Sequence, residues 1–305
     1  MGEQGEKSKT GNKVIIYVMF AATAILWGLS FLSTKIALEK LEVMELLAVR
    51  WTISAVLFGI LILFGLIKVN FKGKSRKYLI LGAFVQPCLY ANLETLGIDF
   101  TTSSISSIFI AMIPLAVVVL NALIFKADVS KKTTFAIILA FAGVLVSVIL
   151  APDFAVGGRF IGYACLIGAI LTGGLYSIIA NKVGQEYSPI EFTCFMAVMA
   201  SVWFNVLSLI QGNGFGGYAA VFSGMETVIA VVMLGVGCSF GAYLMFNYTL
   251  AKLPAELASC IQANSTTAIG VIAGIAIGGD TWGWYTILGL AMTIAGVVIS
   301  SMDVK

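Results

Sequence analysis

The chain contains no histidine and only 11% charged residues across 305 positions. The first absence removes the commonest general base, metal ligand and near-neutral proton carrier, so ordinary hydrolytic chemistry is a poor fit. The second is far below the roughly 25% charged residues of soluble domains. Proline is scarce too, with 5 residues against 32 glycines, which suits closely packed membrane helices better than a disordered or collagen-like chain. The five cysteines (Cys88, Cys165, Cys194, Cys238 and Cys260) lie inside apolar stretches without CxxC spacing, and read as buried free thiols. Neither a phosphate-binding GxxxxGK[ST] loop nor an HExxH or GxSxG motif is present, and there is no TVGYG filter or ring of acids. These gaps argue against an ATP-driven pump, a membrane-embedded enzyme and a channel; no cofactor and no metal site is expected. The basic residues sit between apolar stretches with no interleaved aromatic face, so nucleic acid is a poor partner.

What remains is apolar: 60% of the chain is hydrophobic and the mean hydropathy is +1.02. Crossing a bilayer takes roughly 20 apolar residues as a helix, and runs of that length recur ten times. They fall near residues 14–34, 44–67, 78–98, 103–125, 133–150, 159–181, 190–211, 226–250, 256–278 and 282–301. The expected fold is therefore an all-α polytopic membrane protein of ten transmembrane helices. Ala22-Thr23-Ala24 could be taken for a signal-peptide cleavage site, but cleavage there would cut the first helix in half.

With a cytoplasmic amino terminus, Lys7, Lys9, Lys13, Lys68, Lys72, Lys74, Arg76, Lys77, Lys126, Lys131, Lys132, Lys182, Lys252 and Lys305 lie inside. Only Lys35, Lys40 and Arg159 lie outside, with Arg50 left within a span. This asymmetry is what positive-inside insertion produces, so both termini are expected in the cytoplasm of a cell-membrane protein.

The second half of the sequence overlays the first without gaps at an offset of 153, pairing Leu81-Gly82 with Leu234-Gly235, Tyr90 with Tyr243, and Ala142-Gly143-Val144 with Ala295-Gly296-Val297. Nearer the starts an offset of 147 pairs Ser30 with Ser177 and Lys35 with Lys182. Five spans per half is an odd number, so the second half must enter the membrane upside down, the inverted-repeat plan of many secondary transporters. The expected organisation is a tail over 1–13, a first repeat over 14–150, a linker over 151–158, a second repeat over 159–301 and a tail over 302–305.

The first span carries Trp27-Gly28-Leu29-Ser30-Phe31 followed by Lys35, which resembles the WG-S-F-K signature opening the EamA-like, ten-helix members of the drug/metabolite transporter superfamily. Arg50 early in span two, Pro114 in span four, and Lys131 and Gly143 after it also match, and the resemblance covers residues 14–301. Thr267 stands where span nine should carry proline, and the acidic position after span four is displaced to Ala127-Asp128, although Asp280 holds that place in the second half. The resemblance implies a central cavity lined by spans one, three and four with six, eight and nine, worked by alternating access, and export of amino acids or related compounds. Spans five and ten would be peripheral.

Residues four apart share a helix face, so Gln86, Tyr90 and Glu94 form a polar stripe down span three. The offset carries it to Ser239, Tyr243 and Asn247 in span eight. Two duplicated stripes suit a shared cavity; the alternative is helix-to-helix hydrogen bonding at about 1 kcal/mol each. Glu94 is the one acid well inside a span, where a charge must be paired, hydrated or protonated. It could carry a proton, hold a cationic group beside Tyr90 and Trp27, or simply bond a neighbouring span. Gln262, Asn264, Ser265, Thr266 and Thr267 make span nine too polar to face lipid, while Gly270, Gly274 and Gly278 form a packing ridge. Trp27, Ser30 and Thr34 share a face of span one, as do Tyr176, Ser177 and Asn181 of span six, and core packing explains these equally well. Arg50 reads as the partner of Glu42 or Glu45 in an ion pair at the outer end of span two, with a gate as the alternative.

The function these residues favour is a secondary active or facilitative transporter of a small metabolite. The alternative is a proton-coupled carrier of a cationic, choline-like compound. The expected partners are a small-molecule substrate, membrane lipid and protons as coupling ion, with the protein monomeric or homodimeric.

Overall fold

A computed structural model describes residues 2–126, 130–150 and 158–302. Of the positions named above, Ala127, Asp128, Lys305 and all of the 151–158 linker except Gly158 lie outside the described residues. Those described form helices α1 (Gly2–Leu38), α2 (Val43–Leu63), α3 (Arg76–Phe100), α4 (Ser103–Ile110), α5 (Ile113–Phe125) and α6 (Lys131–Ile149). There follow α7 (Gly158–Val183), α8 (Pro189–Ile210), the short α9 (Gly216–Ala220), α10 (Met225–Leu250), α11 (Ala255–Ala276) and α12 (Trp284–Ser301). No strand occurs among the described residues.

Eight of the apolar segments are long and apolar enough to cross a membrane. Beyond these, α11 has the length, at 22 residues, but the polar run from Gln262 to Thr267 dilutes it, and α12 offers a shorter apolar stretch, Trp284–Ser300. Large apolar side chains such as Ile25, Val56, Ile60, Phe135, Ile138, Val202 and Ile229 point outward and are exposed. An apolar exterior over many helices is the surface of a multi-pass membrane protein.

The helix boundaries follow local chemistry. Glu42 and Glu45 form a capping box at the start of α2, and Ser188 with Glu191 forms another at α8, where Pro189 supplies a preset first turn. The expected fourth span is not one continuous helix. Pro114 has no N–H to offer the carbonyl of Ile110, and the chain turns at Ala111 and Met112 before α5 begins. The first helix also differs from expectation, starting at Gly2 within the stretch read as a tail.

Both long helices α3 and α10 carry a π segment, Phe84–Tyr90 and Met233–Ala242. At the offset of 153 the first of these falls on 237–243, so the two irregularities overlap. A second correspondence joins α6 and α12, which pack antiparallel along a seam of small residues. A Cβ on Gly143 would meet the Gly289 carbonyl oxygen at 2.6 Å, and one on Gly296 would meet the Ala136 carbonyl oxygen at 2.5 Å. The offset converts one of these contacts into the other. Close approach of backbones is what such small residues permit in a membrane.

Links between elements distant in sequence hold the rest. Lys35 at the end of α1 donates to the carbonyls of Ile98, Asp99 and Thr101 at 2.8–3.0 Å, satisfying the C-terminus of α3. Asn181 serves α10 likewise, donating to the carbonyls of Leu250 and Leu253. On the opposite face from Lys35, Glu191 accepts from Lys74 Nζ at 2.6 Å and from the Asn70 amide at 2.9 Å. Asp280 caps α4 across the molecule, its Oδ2 accepting the Ser104 N–H at 2.8 Å. Asp280→Ala therefore lowers the stability of the purified protein by about 0.5–2 kcal/mol, the usual worth of an N-terminal cap. A thermal melt in detergent that does not move would refute the cap.

Candidate functional site

The helices line a cavity of about 70 Å³. Its wall is built by Trp27, Ser30 and Phe31 of α1, Arg50 of α2, Gln86, Tyr90 and Glu94 of α3, and Ile110 and Ile113 on either side of the α4–α5 break. The remainder comes from Gly173, Tyr176 and Ser177 of α7, Tyr243 and Phe246 of α10, and Ser259, Gln262, Ala263 and Thr266 of α11.

Two ionisable side chains face this space. Tyr90 donates its hydroxyl to Glu94 Oε1 at 2.7 Å, a bond between residues one turn apart. Arg50, only 4% exposed, donates Nε to Ser239 Oγ at 2.9 Å. Arg50 and Glu94 are not in contact; among the described residues the one ion pair is Lys74 with Glu191. Each side chain keeps hydrogen-bonding capacity toward the cavity: a carboxyl group has two oxygens, and a guanidinium has five N–H groups.

The aromatic wall is continuous. Trp27 meets Tyr243 and Phe246 edge-on, with both centroid separations 5.0 Å, and Tyr243 lies 5.4 Å from the fully buried Trp51. The Tyr243 hydroxyl accepts from Gln86 Nε2, which ties α3 to α10 across the cavity. Tyr176 donates to Asn247 Oδ1. Ser30 and Ser177 each return their hydroxyl proton to their own helix, to the carbonyls of Trp27 at 2.7 Å and Gly173 at 3.0 Å, leaving the oxygens as acceptors.

Of the residues singled out in the sequence, Glu94, Tyr90, Gln86, Trp27, Ser30, Tyr176, Ser177, Tyr243 and Gln262 come together on this wall. Ser239, Asn247 and Asn264 do not. Ser239 turns to α2, where it holds Arg50 and accepts on its carbonyl from Ser54 at 3.1 Å. Asn247 is committed to Tyr176 and, through Nδ2, to Thr193 at 3.0 Å. Asn264 points along its own helix to Cys260 Sγ at 3.5 Å.

The ion pair expected between Arg50 and Glu42 or Glu45 is corrected by the structure. Glu45 is spent on the Glu42 amide at 3.0 Å, Glu42 accepts from Asn213, and Arg50 is turned inward to the cavity. The signal that could have found it is general: an arginine embedded in an apolar stretch is a functional candidate by default. Ser259, also on the wall, carries no such signal, because a single serine in a helix is unremarkable by sequence. No group of three or more His, Cys, Asp or Glu residues able to hold a metal occurs among the described residues, and the five cysteines are free.

Comparison with known proteins adds an independent line. The sequence model of the EamA-like transporter family matches residues 14–149 and 160–302. An uncharacterized transporter of Bacillus subtilis (strain 168), YcxC, is 27% identical over 292 residues, covering 95% of this chain and 93% of the relative. An uncharacterized transporter of Archaeoglobus fulgidus is 24% identical over 283 residues, covering 93% of this chain and 97% of its own length. A solved crystal structure superimposes with a TM-score of 0.66 over 94% of this chain and 96% of that one, at 13% sequence identity, which is a likeness of fold alone.

Proposed function

The chain belongs to the EamA-like transporter family, and from that premise we propose that the central cavity is its substrate site and takes a small zwitterionic metabolite of the amino-acid type. The observation that carries this reading is the presence of Arg50 and Glu94 on one cavity wall without contact between them. A buried charge is costly unless compensated, and a zwitterion brings a carboxylate to the guanidinium and an ammonium to the glutamate in one step. The cavity holds only a small group at about 70 Å³, so passage of a metabolite requires the helices around it to move.

In this reading the protein has ten spans, arranged as two inverted repeats over 14–150 and 159–301. Three observations support it: the overlap of the π segments, the exchange of α6–α12 contacts under the 153 offset, and the antiparallel run of that seam. A two-fold axis relating two antiparallel helices runs perpendicular to them, hence in the membrane plane if they cross it. Alternating access between the repeats then moves the substrate, in the export direction, with both termini in the cytoplasm of a cell-membrane protein and protons as the coupling ion. The protein works as a monomer or homodimer. The basic residues concentrated on one side support the orientation.

A second reading, a quaternary-ammonium carrier, is favoured by the aromatic wall of Trp27, Tyr243 and Phe246 near Glu94. Arg50 counts against it, because a cation gains nothing from a second cation in the same cavity. Thermal shift on the purified protein separates the two. Neutral amino acids are expected to raise the melting temperature and choline to leave it unchanged; the reverse pattern would overturn the zwitterion reading.

A further inference from the structure

Resting on the zwitterion reading above, we propose that the α11 wall of the cavity is a second polar subsite. It selects amino acids whose short side chain carries a hydroxyl or amide over isosteres that end in a methyl group.

Ser259, Gln262 and Thr266 are spaced three and four apart, so they share one face of α11, and all three line the cavity. Ser259 is 2% exposed and Gln262 3% exposed. Gln262 uses its Nε2 to donate to Thr266 Oγ1 at 2.8 Å. Its Oε1 has no partner, and neither has Ser259 Oγ. The other unpartnered buried polar atoms among the described residues, such as Thr23 Oγ1 and Trp51 Nε1, are not on the cavity wall.

Buried polar atoms are nearly always hydrogen-bonded, and one left open inside a binding cavity is an acceptor awaiting a donor. The repeat partners lack this open polarity. At the offset of 153, Ser259, Gln262 and Thr266 correspond to Ser106, Phe109 and Ile113. Ser106 is already satisfied by Thr101 Oγ1 at 2.8 Å, and the other two are apolar. The first-half wall therefore presents Ile110 and Ile113 to the cavity, where the α11 side presents two buried polar atoms without partners.

A ligand with a hydroxyl or amide N–H satisfies Gln262 Oε1 and Ser259 Oγ, whereas a methyl group of the same size buries them unpaired. Sites built around a hydrogen bond reject the analogue that lacks it far more strongly than apolar pockets reject one extra methylene. Threonine and valine differ in just this respect and have nearly the same shape.

The test is counterflow of radiolabelled threonine and valine in proteoliposomes containing the full-length protein, with asparagine and leucine as a second pair. Threonine is expected to exceed valine in kcat/KM by about tenfold or more, and Ser259→Ala and Gln262→Leu each to bring that ratio within about twofold of one. Equal transport of threonine and valine by the unmodified protein would overturn the subsite while leaving the charge-pair reading intact, and this comparison needs no variant to fold. Failure to move any zwitterion, with transport of choline instead, would overturn both.

Discussion

Arg50→Met is expected to weaken substrate binding by roughly 30-fold or more. Methionine is unbranched and apolar, so it keeps the packing of the aliphatic stem without the charge. What it removes is a guanidinium that is 4% exposed, anchored by Ser239 and open toward the cavity. Truncating one partner of a buried, hydrogen-bonded charge pair costs about 2–5 kcal/mol, which corresponds to a loss in affinity of roughly 30-fold or more. Arg50→Lys should not restore binding, because an ammonium can neither grip a carboxylate with two parallel N–H groups nor keep Nε on Ser239 while doing so. The measurement is equilibrium binding of a labelled amino acid to the purified protein, with gel filtration to confirm that the variant is monodisperse. Wild-type affinity in a folded Arg50→Met protein would remove Arg50 from the site.

Glu94→Gln is the second substitution with a large expected effect, and it probes the other end of the ligand. Glutamine keeps an oxygen to accept from Tyr90, so the link between Tyr90 and position 94 survives. The negative charge does not. Losing a charge-assisted hydrogen bond to the substrate ammonium amounts to about 1.5–3 kcal/mol, or a loss in affinity of roughly 10- to 100-fold. The same variant separates binding from coupling. If Glu94 also carries the coupling proton, accumulation driven by a pH gradient disappears in Glu94→Gln, and the remaining downhill flux no longer varies with pH. Transport with unchanged kinetics across pH, at unchanged affinity, would exclude Glu94 from both roles.

Much of the cavity was legible because helical periodicity and duplication are both written in the sequence. Tyr90 and Tyr243 were found by the offset of 153, and Glu94 by its rarity as an acid inside an apolar run. The first stripe stays whole on the wall although the short π segment Phe84–Tyr90 covers two of its members, whereas the second fails at both ends. A π segment closes i→i+5 bonds and widens the turn, so over a longer segment a spacing of four drifts around the helix axis. Met233–Ala242 is such a segment, and Ser239 within it faces Arg50 and Ser54 of α2 and does not line the cavity. Asn247 was lost differently: its partners Tyr176 and Thr193 lie on other helices, and no local pattern reports a side chain captured from 71 positions away.

Arg50 shows the same limit from the opposite direction. Its neighbours in sequence, Glu42 and Glu45, made an ion pair the economical reading, but both acids are engaged at the helix terminus and the guanidinium finds Ser239 from 189 positions away. Short-range acid–base pairs are a local inference, whereas the buried partners of a membrane helix are set by which helices meet. Length and apolarity, by contrast, needed no tertiary information, and eight helices of spanning length follow from them directly.

The interruption at Ala111 and Met112 has a mechanical meaning. In an unbroken helix, bending by more than a few degrees stretches or ruptures several hydrogen bonds on the convex side. Between Ile110 and Ile113 one of those bonds is already missing, since Pro114 has no N–H, and Leu115 bonds back only as far as Met112. The rod formed by α4 and α5 is thus most compliant at that joint, where bending asks only for torsion. Because Ile110 and Ile113 both belong to the cavity wall, the softest point of the rod sits against the ligand space, and a small angular change there alters the volume available to the cargo.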